Sequence, residues 1–289
     1  MKRHLSLTLA VVVFVTFATS CKSTKEFANL AQAGTTYTTA MDRLLLATQQ
    51  IEIDTTSERF LQDDALSNQS LESYQGLSNK NEETIRLIGL LRKHVKLLAR
   101  YFGLLHDLAT SNAPDRAKTA INGVVTNLNS VSNEIRGNPL LSGGIGKGVG
   151  LITSAIVNAK IRGALKDELN SRKDTIEKEL VLQEELLKFL SEHLKHDLTL
   201  IKVTREQRLV IDPLISEKPI ASPDEWINNR RSILTMNLVA QELTSASNSI
   251  TKLREAFEDL LSGKLTLDRV NSLLDDFDSL LTIAEKLKS

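Results

Sequence analysis

A single cysteine in 289 residues excludes an internal disulfide, so the fold must rest on its apolar core. Only five prolines interrupt the chain, and aromatic residues make up 4% of it. Neither sign of charge is in excess: 36 basic residues face 36 acidic ones. That balance gives no basic surface for nucleic acid and no acidic tail. No stretch alternates apolar and polar residues as a half-buried strand does. G-x-S-x-G and H-E-x-x-H are both absent, which removes the familiar signatures of a serine hydrolase and a zinc protease. Gly146-Lys147 is followed by Gly148, where a phosphate-binding loop needs Ser or Thr, and no apolar strand precedes it. No catalytic group is assembled in the sequence and no cofactor site is expected.

What remains is rich in Leu, Ala, Glu, Lys and Gln, all good helix formers, and points to an all-α protein. Apolar residues recur in alternating steps of three and four. Phe27, Leu30, Gly34, Tyr37, Met41, Leu44, Thr48 and Ile51 place a first helix at about 26–53. Residues 54–81 stay open: Phe60, Leu61 and Leu66 extend the pattern, whereas Asn68, Gly76 and Asn79 favour a loop. Two adjacent stripes, one with Ile88, Leu91, Val95 and Leu98 and one with Leu90, Leu97, Tyr101 and Leu104, make 82–110 a broadly buried helix. Pro114 suits the first turn of a third helix, and Gly137-Asn138-Pro139 stops it. Leu169, Ile176, Leu180, Leu187, Leu190, Leu194, Leu198 and Ile201 mark a long fourth helix. Its pairs Glu168–Arg172, Asp174–Lys178 and Glu184–Lys188 are expected on the wet side. Asp212-Pro213, Pro219 and Pro223 mark an irregular connection over 209–222. Ser222, Pro223 and Glu225 open the next helix, and Gly263 closes it. A last helix carries Leu267, Val270, Leu274, Phe277 and Leu281. This spacing predicts one elongated domain over 26–289. It is a bundle of five to seven long helices, packed near-antiparallel with coiled-coil-like crossings.

The segment 140–165 differs from the rest. Gly143, Gly144, Gly146, Gly148 and Gly150 crowd together, and an apolar run follows. Gly146, Gly150 and Ser154, with Ala155, Ala159 and Gly163 beside them, repeat a small residue every four positions, which lets helix backbones approach closely. Two readings stand: tight packing against a neighbouring helix, or a surface touching membrane or partner. The layout is similar to that of α-helical pore-forming toxins, although the charge-free run Gly148–Ala159 is too short to span a bilayer. Of the histidines, His193 and His196 lie one helical turn apart beside Glu192 and Asp197. A solvated helix face is expected there rather than a metal site.

The N-terminus carries the clearest address. Lys2 and Arg3 precede Leu5–Phe17, which has no charge, and Ala18, Thr19 and Ser20 lead to Cys21. A basic start, a short apolar run and small residues at its end read as a secretory signal over 1–20. The lone cysteine at that junction resembles the lipobox of bacterial lipoproteins. The resemblance implies cleavage between Ser20 and Cys21, acylation of Cys21 by diacylglycerol and often a further chain such as palmitate, and a short tether over 21–25. It also implies anchorage in the cell envelope, in the outer membrane of a two-membrane cell, because Lys22 rather than Asp follows the cysteine. Ala18-Thr19-Ser20 equally suits the ordinary signal peptidase, which would leave Cys21 as a free thiol. Removing 1–20 takes away Lys2 and Arg3 and no acid, leaving a balance of two acidic charges. The expectation is a lipid-anchored envelope protein with an envelope protein partner and a structural or interaction role; the alternative is a membrane-active protein using 140–165.

Overall fold

The steps of three and four in the first helix do what that spacing dictates: Leu30, Tyr37, Met41, Leu44 and Ile51 are all buried. The helix itself, α1, is longer than the apolar spacing alone marks out, running Arg3–Asp63. The computed structural model describes residues 3–63, 70–110, 114–141, 163–246 and 248–286. Side chains are described from Ala28 onward, outside 62–63, 109, 114, 139 and 237–246.

The open question over 54–81 resolves largely to helix. α1 continues to Asp63, and α2 spans Leu71–Thr110. Ser70 explains that start: its Oγ accepts a hydrogen bond from the backbone N–H of Ser73 at 3.0 Å, satisfying one orphan donor of the first turn. α3 spans Pro114–Arg136 and ends where the glycine and asparagine stand. The Gly137 N–H returns to the Asn133 carbonyl at 3.0 Å. The Asn138 side-chain oxygen accepts from the Leu140 N–H at 3.0 Å, which turns the chain into the short 3₁₀ turn Pro139–Leu141.

α4 spans Gly163–Arg205 and does not stop where an irregular connection is expected. It widens into a π-helical turn over Glu206–Ile211 and ends in a last turn, α5, over Asp212–Ile215. The cause is Pro213, which has no N–H and crowds the carbonyl four residues back. A wide turn just before it absorbs the mismatch without ending the helix. The indole N–H of Trp226 donates to the Val210 carbonyl in that turn at 3.0 Å. Irregular chain is thus confined to 216–222. The expected single helix from Pro223 to Gly263 is two helices, α6 over Pro223–Ala246 and α7 over Ser249–Ser262. Gly263 does cap α7: at φ 74° it takes the left-handed conformation that glycine adopts without a Cβ penalty, and its N–H reaches the Leu260 carbonyl at 3.0 Å. α8 spans Leu267–Lys286.

Every regular element among the described residues is helical, so the protein is an all-α bundle. α1 is its centre and packs against α2, α4 and α8; α2 packs against α3, and α4 against α6 and α7. The pairs Asp42–Arg92 and Thr56–Asn81 set α1 and α2 antiparallel. Tyr37–Gln183, Glu52–His193 and Glu58–Arg205 set α1 and α4 side by side in the same direction, which leaves α2 antiparallel to both. α1 and α2 approach closely at Gly34, where a Cβ would lie 2.7 Å from the Phe102 ring. Gly34 is therefore the hole that Phe102 fills.

Candidate functional site

Three groupings of polar or exposed side chains stand out from an otherwise leucine-rich core. The first is sealed inside it. The Tyr37 hydroxyl of α1 donates to Gln183 Oε1 on α4 at 3.3 Å, and Gln183 Nε2 donates to His94 Nδ1 on α2 at 2.5 Å. His94 Nε2 then meets Glu179 Oε2 at 2.7 Å. With Nδ1 accepting, the network assigns the proton of His94 to Nε2, so that nitrogen donates to the carboxylate. Ser132 of α3 also donates to Glu179 Oε2, at 2.5 Å, and Arg136 Nη2 lies 3.7 Å from Glu179 Oε1. Tyr37, His94, Ser132 and Gln183 are fully buried and Glu179 nearly so. Burial drives the Tyr37 phenol far above its ordinary value. A serine, a histidine and a glutamate thus meet, yet Ser132 bonds the carboxylate rather than the imidazole. The hydroxyl thus lacks the imidazole contact of a serine–histidine pair. The chemistry this arrangement performs is registration: four helices each surrender a buried polar group unless they align.

The second grouping sits further along α1 and α4. His193 Nε2 lies 3.1 Å from Glu52 Oε2 and 3.2 Å from Asp197 Oδ2. The three ligand-capable atoms all lie within 4.8 Å of one another. Phe189 stacks on the His193 ring, with centroids 6.0 Å apart and planes 5° from parallel, and holds its orientation. The hydrogen bond to Glu52 raises His193 above the usual imidazole value, against the opposing pull of burial, with Asp197 adding to the rise. Burial raises the Asp197 carboxyl, while His193 offsets part of that effect. The helix face expected to be solvated is only half so. His196 and Glu192 are exposed, whereas His193 and Asp197 turn inward to meet an acid from α1 that sequence spacing gave no reason to choose.

The third grouping is the end of the bundle at the C-termini of α1 and α4. Arg205 donates to Glu58 at 2.8 Å and to Asp54 at 3.1 Å, and Arg208 closes on the same Glu58 at 2.9 Å. Glu58 is buried, and these two arginines bind α4 to α1 there. Exposed apolar side chains stand on the same helices: Ile53 and Leu61 flank Glu58 on α1, Leu214 and Ile215 on α5 follow Arg208, and Leu71 and Tyr74 stand at the start of α2. The Phe60 and Tyr74 rings, 5.4 Å apart, place the start of α2 at the same end. Leu71 is 73% exposed and Ile215 is 71% exposed.

No family model, curated protein or solved structure matches the chain. The chemistry must be read from these residues alone. Ser20 and Cys21 lie within the span of α1, and their side chains fall outside the described residues. Gly146, Gly150, Ser154, Ala155 and Ala159 are likewise outside them. Gly163 is described: it opens α4 at φ 64°, and no described residue lies within 4 Å of a Cβ placed on it. Glu168, expected on the wet side, is buried and receives the Tyr101 hydroxyl at 3.5 Å, while Arg172 donates to Asn122 at 2.8 Å. Glu184 is paired across helices with Arg254 at 3.1 Å. Among the described residues, no helix is long and apolar enough to cross a membrane.

Proposed function

We propose that this protein is a lipid-anchored component of the cell envelope that acts by contact with a protein partner rather than by catalysis. The single observation that carries the reading is the exposed apolar end around Leu71, Tyr74, Leu214 and Ile215. It lies at the opposite end of α1 from Cys21. Along one continuous helix the two are separated by 42 residues, about 63 Å at 1.5 Å per residue. An acyl chain at Cys21 contributes about 0.8 kcal/mol per buried CH₂, and two or three chains anchor stably. The anchored protein would then hold its apolar end well away from the anchoring membrane, where a partner meets it. The sealed core relay supports a contact role too, because it stiffens the four central helices into a spacer.

The test is capture from solubilised envelopes with the full acylated chain, comparing wild type with the double variant Leu214→Glu and Ile215→Glu. Both side chains are exposed, so folding should be unaffected. The reading expects a partner retained by wild type and lost by the variant at unchanged melting temperature. Equal capture by both would overturn it. Release of dye from liposomes by the purified chain would move the function to membrane activity.

A further inference from the structure

The cluster of Glu52, His193 and Asp197 has the makings of a metal site, and neither the anchor nor the apolar end accounts for it. Two carboxylates converge on one imidazole nitrogen, at 3.1 and 3.2 Å. The contact with Glu52 is a hydrogen bond; the one with Asp197 is not. The Asp197 Oδ2 atom is buried, faces the cluster and has no hydrogen-bond partner, although Asp197 as a whole is only 3% exposed. A buried carboxylate oxygen without a donor is costly and calls for a cation. If His193 is protonated, the three groups sum to one negative charge. With neutral His193 and a divalent cation they sum to zero. The spacing also fits. In a tetrahedral site with bonds of about 2.0–2.1 Å, ligand atoms stand about 3.3 Å apart, close to both nitrogen–oxygen separations here.

We propose that Glu52, His193 and Asp197 bind a first-row divalent cation, with zinc the best match to one imidazole and two carboxylates. Three protein ligands leave a fourth position. The side chain of His193 is 33% exposed, so water reaches that position. His193 and Asp197 stand one turn apart on α4, a rigid pair already set for chelation, and Phe189 fixes the imidazole plane. Glu52 comes from α1. The ion therefore ties the anchored helix to α4, six residues before the Glu58–Arg205 clamp. Arg59 and His196 lie near enough to act on Asp197, but neither closes on Oδ2.

The full chain, stripped with chelator, is titrated with Zn²⁺ by calorimetry, and its melting temperature is followed in parallel. The proposal expects saturation at one equivalent and a melting temperature raised by several degrees, because an ion bound only by the folded state stabilises it. Glu52→Gln and His193→Ala should each weaken binding by at least about tenfold, since even outer-shell changes cost about 10–100-fold. His196→Ala should bind as wild type does. Co²⁺ on the wild-type chain should give the visible absorption of a four-coordinate N/O site, and Glu52→Gln should lose it even where His193→Ala fails to fold. Absence of saturable binding to the wild type would overturn the proposal. So would binding that survives Glu52→Gln, or binding abolished by His196→Ala, which would place the ion on the exposed face of α4.

Discussion

His94 is a polar residue in the middle of the α2 apolar stripe, one turn beyond Leu91 and beside Val95 and Leu98. Removing it strands Gln183 and takes a donor from a buried carboxylate. Leaving such a buried polar group without its partner costs about 1–3 kcal/mol, so His94→Leu should lower the unfolding free energy by about 2–3 kcal/mol in urea titrations. A loss under about 1 kcal/mol would mean that Ser132 and Arg136 alone satisfy Glu179. Glu168 gives a second, pH-resolved test. Burial raises its carboxyl above 4.5, against the partial offset of Arg172. A raised carboxyl contributes its stability below the unfolded value and loses it as pH rises through the folded one. Glu168→Gln keeps an acceptor for Tyr101 and no longer ionises. Its stability relative to wild type should therefore increase as pH climbs above 4.5, and the gain should be absent well below. Melting curves across that range decide the matter, and a gain that grows toward acid would reverse the sign. Tyr37 was legible in the sequence as a member of an apolar stripe, and Glu168 as a helix residue expected on the wet side. Their partners were not, because Tyr37, His94, Ser132 and Glu179 lie on four helices, and spacing within one helix carries no information about its neighbour's register.

At the scale of elements, apolar spacing marked the helices that bury a stripe and failed where a helix persists without one. The last turns of α1 and the first turns of α2 carry exposed Leu61, Leu71 and Tyr74, so periodicity faded there although the Ser70 cap and helical continuity remained. Pro213 signalled a break and delivered a wide turn instead, because Trp226 takes up a carbonyl of that turn. Gly34 looked like a weak member of its heptad; it is the close contact between α1 and α2. Gly34→Ala should drive a methyl into the Phe102 ring and cost about 1–3 kcal/mol. Gly89, in α2 with open space around it, offers the opposite case. Gly89→Ala should gain up to about 1 kcal/mol, because alanine is the better helix former. Chemical denaturation of the two variants checks the contrast. Equal effects would mean that the helices do not approach at Gly34.

At the scale of the molecule, α1 is the helix that packs against α2, α4, α7 and α8. It passes through Cys21, enters the core at Leu30, contributes Tyr37 to the relay and Glu52 to the acid–histidine cluster, and ends beside the arginine clamp on Glu58. The all-α architecture was legible from composition and spacing, because long amphipathic stripes have few other ways to bury themselves. The exposed end was not, since its apolar residues come from three separate helices. The proposed division of this helix, with an anchor at Cys21 and an apolar surface at the far end, depends on acylation of Cys21. The most direct measurement is the mass of the mature N-terminus, taken from cells fed a fatty-acid analogue, for wild type and Cys21→Ser. A lipid-anchored protein should begin at Cys21 and carry acyl groups, with no label on the serine variant. A mature wild-type chain with an unmodified Cys21 would contradict it.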